Sequence, residues 1–302
     1  MKYSHCKVFA VVVVLFCSPI SFINAQVGIG TSTPEGMLDL ESSTQGLVYP
    51  RVALTKTKIE SPVKNPNTGP LVQGTIVYNT SKTKSGSNDV YPGIYAWDGF
   101  QWQPQFYMEE YEKFTQTGGD QRTTIRENLF DPNPNNADPI DGLSGVGFIP
   151  KYSGFYKIEV KTNFSGGKVA DFSNIDEISL ATAEGAFFFK LSGAGVDIDP
   201  TTGTYDYKKG WIYTHSYSTN NVTEGTGANA IDNDKVAHYA SVVYYKYLRF
   251  DESYTFTLSN CITIGSEYFV NGGDTGEGQG HIGLEIPCSV EFTFVGTDNP
   301  QN

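Results

Sequence analysis

The chain has 302 residues and carries 21 Lys and Arg against 33 Asp and Glu, a net charge of −12. So acidic a surface suits neither nucleic acid nor an anionic membrane, because phosphate contacts need Lys and Arg. Gly (32) and Pro (15) are abundant, Tyr and Phe number 19 each, and only 18% of residues are charged. That composition excludes a coiled coil, a helical bundle and a disordered acidic tail, and it predicts an all-β chain.

Residues 1–25 read as a secretory signal. Lys2 and Lys7 form a basic start, Val8 to Phe16 an apolar core, and Ile23-Asn24-Ala25 a small-residue cleavage site. The apolar core falls well short of the roughly twenty residues of a membrane span, and Pro19 ends it. A lipoprotein signal would place a small residue before Cys17, where Phe16 stands. The expectation is therefore an exported chain without a transmembrane anchor, extracellular or at the cell surface. Cleavage would leave 19 basic residues against 33 acidic ones, a net charge of −14, since only Lys2 and Lys7 are lost. It would also remove Cys6 and Cys17, leaving Cys261 and Cys288. Two cysteines in an exported, strand-rich chain suggest one disulfide, with two buried thiols as the alternative.

A first module is predicted over 26–104, rich in Gly, Thr, Ser and Pro with short apolar patches. Asp98-Gly99 is a hairpin turn signal, flanked by Trp97 and Trp102. So small and turn-dense a stretch has few core residues, which points to burial against copies of itself. Residues 105–110 form a connector, and Met108 to Glu112 offers at best one or two helical turns.

The second module, 111–298, alternates with period two, leaving 299–302 as a tail. In Tyr156-Lys157-Ile158-Glu159-Val160-Lys161 the apolar residues take one face and the charges the other. This is the pattern of an antiparallel sheet with one wet face. Phe187-Phe188-Phe189 and Val242 to Leu248 are instead apolar on both faces, and in a two-layer sandwich the second cover is often another subunit. Phe188, Val243, Tyr245 and Tyr247 are thus candidate subunit contacts. Turn clusters at 131–136, 197–203 and 271–280 separate the strands, so the module reads as a sandwich or jelly roll.

Three stretches of this module resemble the C1q/TNF-like jelly roll: Gly147 to Tyr156, Tyr247 to Tyr254, and the closing strand Ser289 to Val295. Asp251-Glu252-Ser253 lacks the Gly usual in that family's turn. The first module resembles a stalk element of exported Bacteroidota proteins, similar to phage tail-fibre modules. Its matching pieces are Val27 to Thr31, Leu38 to Leu40, Gly46 to Arg51, Gly74 to Thr80 and Gly93 to Trp102. Together the two resemblances imply an exported homotrimer with a thin stalk and a globular β head, and they bring no enzymatic activity with them.

Candidate chemistry is sparse. Gly278 to Gly283 fits G-x-G-x-x-G literally, but the strand-like sequence after it makes it a loop entering a strand. Asp131-x-Asn133-x-Asn135 begins like a calcium loop, yet Asn136 and Gly142 stand where Gly and Glu belong. No cofactor is expected. Calcium is the one cation with suitable donors, at Asp197-Ile198-Asp199 and Asp232-Asn233-Asp234, though acidic turns usually hold nothing. The histidines beyond the signal are His215, His238 and His281, and none sits in a metal-ligand spacing. The densest aromatic cluster is Tyr95, Trp97, Phe100 and Trp102, which would either staple the hairpin to neighbouring chains or stack on sugar rings. The expected function is a non-catalytic trimeric surface or matrix protein of adhesive type, its head binding a glycan or a protein partner. The alternatives are a purely structural subunit of a fibre or surface layer, and a secreted polysaccharide-active enzyme.

Overall fold

The computed structural model describes residues 26–128, 130–165, 177–196, 208–220, 231–233, 237–265, 280–284 and 286–300. The expected signal segment, the acidic run at 197–199 and the start of the Gly-rich motif at 278 lie outside the described residues. Among the described residues every regular element is a strand. The connector 105–110 contains no helical turn.

The chain divides into two compact units, 1–49 and 50–302. In the first, β1 (Val27–Ile29) and β2 (Leu38–Leu40) pair in parallel, with Val27 opposite Leu38 and Ile29 opposite Leu40. The second unit begins with a four-stranded sheet of β3 (Arg51–Val52), β4 (Ile76–Asn79), β5 (Gly93–Trp97) and β6 (Trp102–Pro104). Its hairpin closes as the sequence predicts. Asp98 Oδ1 accepts from the amides of Phe100 (2.8 Å) and Gln101 (2.7 Å), and Gly99 takes φ 100°. Trp97 and Trp102 are cross-strand partners whose rings meet edge to face, centroids 5.3 Å apart.

The head is a two-layer sandwich. Its front sheet carries β7 (Tyr111–Thr115), β17 (Ser289–Gly296), β10 (Gly154–Ser165) and β14 (Ala237–Leu248), extended by β16 (His281–Ile282) and β8 (Gln121–Arg122). The back sheet runs β13 (Ile231–Asn233), β12 (Lys208–Asn220), β11 (Glu177–Gly193), β15 (Tyr254–Gly265) and β9 (Asp138–Phe148). All pairings in both sheets are antiparallel. The period-two reading of β10 holds: Tyr156, Ile158 and Val160 join the core between the sheets, and Lys157, Glu159 and Lys161 point away from it. Phe148, Phe187, Phe189, Phe256 and Phe292 fill the same core. Gly185 lets β11 approach the front sheet, since a Cβ there would lie 2.7 Å from the Phe164 ring.

Two expectations need correction. No disulfide joins Cys261 and Cys288; both are free, buried thiols. Cys288 belongs to the core between the sheets, whereas Cys261 packs with Ala186 and Phe188 in a separate cluster on the far side of β11 and β15. A sheet lies between them. Nor does Phe188 need a neighbouring subunit for its second cover: Ile125 and Ala137, from the segment joining β8 to β9, pack over it. The Gly missing from the β14–β15 turn is replaced by Asp251 itself, which takes φ 55°, a conformation that Asp tolerates better than most residues.

Candidate functional site

Two open apolar faces stand out, one in each unit. In the first unit the parallel pairing puts Val27, Ile29, Leu38 and Leu40 on one face of β1 and β2, and all four side chains are substantially open. Met37, Leu47 and Val48 are also exposed. A two-stranded ribbon with its apolar face in water is marginal alone, because the burial that would offset chain ordering is missing.

The second open face is the outer side of the front sheet. Along β14, Tyr239 and Val243 are 50% and 47% exposed, while Tyr245 and Tyr247 are half-buried. Tyr247 packs edge-on to Phe155 of the neighbouring β10, centroids 5.4 Å apart. Of the four contacts proposed from sequence, Val243, Tyr245 and Tyr247 share this face and Phe188 does not.

Beside the aromatic stripe runs a ladder of five charges across β10, β17 and β7. Glu159 meets Lys157 at 3.0 Å and Lys161 at 3.5 Å; Glu291 meets Lys161 at 3.0 Å and Lys113 at 3.1 Å. The Lys157 hydrogen bond holds the Glu159 carboxyl below its ordinary range. Partial burial pushes Glu291 the other way, but hydrogen bonds from Lys161 and Lys113 prevail and lower it. Three lysines against two glutamates leave this face cationic within an acidic chain. A shallow groove with Lys113, Lys161, Tyr239 and Ile286 on its walls continues the surface.

The aromatic cluster of the hairpin is mostly core. Tyr95, Trp97 and Trp102 are buried with Leu54, Leu71, Val77 and Val90, so the hairpin is stapled within its own chain and these rings offer no stacking face. Burial raises the Tyr95 hydroxyl to about 12. Only Phe100, 86% exposed at the turn, is free to meet a ligand or a neighbour.

Elements far apart in sequence bring Asp120, His281 and Ser165 together, which pattern reading missed because no local spacing links them. Asp120 Oδ2 lies 2.6 Å from His281 Nδ1, and Ser165 faces His281 across the β10–β16 ladder. His281 Nε2 and Ser165 Oγ are both buried, and they do not bond to each other. Among the described residues no base is in hydrogen-bond contact with the serine hydroxyl. Among the described residues no group of three metal-binding side chains converges.

Residues 28–118 match the family described as the phage tail like trimerisation region. No curated protein matches the chain. Among solved structures, Eiger TNF from S. frugiperda aligns over 65% of this chain and 98% of its own, at 8% identity and a TM-score of 0.29. The globular domain of a zebrafish complement 1qA protein aligns over 64% of this chain and 100% of its own, at 11% identity and a TM-score of 0.25.

Proposed function

We infer that the chain is a non-catalytic, exported homotrimer of the cell surface or extracellular matrix, whose head meets a glycan or protein partner. One observation carries the trimeric part. The apolar face of Ile29, Leu38 and Leu40, flanked by Val27, lies open to water within the region 28–118 that matches a trimerisation family, Val27 standing one residue before it. Three copies converging there would bury that face, and closed rotational symmetry gives each copy the same environment. On the head, the stripe of Val243, Tyr245 and Tyr247 offers a second contact in the same assembly. A trimer also gives a weak head site avidity towards a repetitive target.

Light scattering on protein beginning at Gln26 tests the assembly. A mass about three times that of the monomer is expected, falling towards the monomer for the double variant Ile29→Asp and Leu38→Asp. A monomeric parent protein would overturn the reading. Glycan-array binding by the intact trimer tests the partner class separately.

A further inference from the structure

Ser153 makes three hydrogen bonds to two separate parts of the second unit. Its amide donates to the Tyr91 hydroxyl at 2.7 Å, its hydroxyl donates to Asp89 Oδ2 at 2.6 Å, and that same hydroxyl accepts from the Phe250 amide at 2.9 Å. Asp89 and Tyr91 lie on the loop between β4 and β5. Ser153 ends the β9–β10 turn of the head, and Phe250 sits in the β14–β15 turn. All four residues are buried. These contacts cross the boundary near residue 104 that the sequence suggests between stalk and head.

The loop that reaches across is built to do so. Asn79, fully buried, donates to the carbonyls of Ser81 (2.9 Å) and Tyr91 (2.8 Å) and accepts from the Leu54 amide (2.9 Å). Asp89 Oδ1 accepts from the Thr83 hydroxyl at 3.1 Å and from the Ser85 amide. The carboxylate is thus fixed before its other oxygen meets Ser153. On the head side the Asp251 amide donates to the Pro150 carbonyl at 3.0 Å, joining the two turns to each other. The Tyr91 ring then wedges edge-on between Tyr152 (5.1 Å) and Phe250 (5.6 Å). Lys82 Nζ stands 4.0 Å above the outer face of the Phe250 ring.

We propose that this joint makes residues 50–104 and the head one cooperative unit, with Ser153 as the positioning residue that fixes the angle between them. Pulling the two apart would strip acceptors from the Ser153 amide and the Ser153 hydroxyl and expose the aromatic wedge together, so there is no partly open state of low cost. The head cannot pivot on residues 105–110 like a bead on a tether. Any movement of the four-stranded sheet is passed to the base of the sandwich. The joint is intramolecular and does not depend on the trimer.

Hydrogen exchange on the chain from Gln26 tests this, with the oligomeric mass recorded alongside. Tyr91→Phe keeps the ring and removes the acceptor; Ser153→Ala removes the hub hydroxyl. Each is expected to speed exchange in 83–91 and in 250–254 together, by roughly tenfold. Lys84→Ala removes the 2.7 Å ion pair to Asp251, the 3.3 Å hydrogen bond to its carbonyl and a 5.9 Å approach to the Phe250 ring. The ion pair is solvent-exposed, and the variant is expected to leave both segments unchanged. Should Ser153→Ala fail to fold, Tyr91→Phe decides alone. Acceleration in only one of the two segments, or separate melting of the four-stranded sheet and the head in the parent protein, would overturn the joint.

Discussion

Phe148 of β9 lies flat on Phe292 of β17, ring centroids 4.2 Å apart and planes 17° apart, joining the back sheet to the front one. Phe292 also meets Phe114 and Phe256, at 6.1 Å and 5.6 Å, so one ring is shared by strands of both layers. Phe292→Ala is expected to destabilise the head by about 3–5 kcal/mol, because a fully buried aromatic leaves a cavity that packed sheets cannot close. Urea unfolding should show a lower midpoint with an unchanged slope. A loss below about 1 kcal/mol would mean the two sheets are not packed through this ring.

The hairpin of the four-stranded sheet offers a contrast within three residues. Trp102 is 1% exposed and its indole N–H donates to the Ile59 carbonyl at 2.9 Å, whereas Phe100 is 86% exposed. Trp102→Ala should cost about 3–5 kcal/mol and Phe100→Ala less than about 0.5 kcal/mol in the same unfolding experiment. If Phe100→Ala instead lowers the oligomeric mass, the exposed ring is a subunit contact.

What could be read from the sequence follows from how local each signal is. The alternation in β10 and the Asp98-Gly99 turn are encoded in neighbouring residues, and both appear as expected. The triple Phe of β11 shows that both faces need covering but not by what. The cover over Phe188 comes from Ile125 and Ala137, in a stretch with no periodicity to announce it. The same applies to the joint. Asp89 and Ser153 are 64 residues apart, and a change in composition near 104 carries no trace of a hydrogen bond that crosses it. The disulfide expectation came from counting cysteines; their separation by a sheet is a property of strand register alone.

The thiols give a direct chemical test. Burial pushes Cys261 up to about 12 and Cys288 up to about 11, so little thiolate exists near neutral pH. Native protein beginning at Gln26 should react slowly with a thiol reagent at pH 8, and denatured, unreduced protein should titrate two thiols. Finding none after denaturation would restore the bridge.

The same burial predicts how the fold responds to alkali. Burial raises Tyr91 and Tyr95 from an ordinary 10.0 to about 12 each, and both thiols from 9.0. Each group is neutral in the folded chain and ionises more readily once unfolded. Its contribution is therefore complete below the unfolded value and is lost as pH climbs through the folded one. The urea midpoint should hold steady to about pH 9 and then fall continuously towards pH 12. Tyr95→Phe should make that fall shallower between about pH 10 and 12, because one ionisation is removed while the ring remains in place. Its hydroxyl accepts from the Tyr91 amide at 3.0 Å, so the variant should also start from a lower midpoint at pH 8. A parent midpoint that stays flat to pH 12 would show that these hydroxyls and thiols meet water in the folded chain.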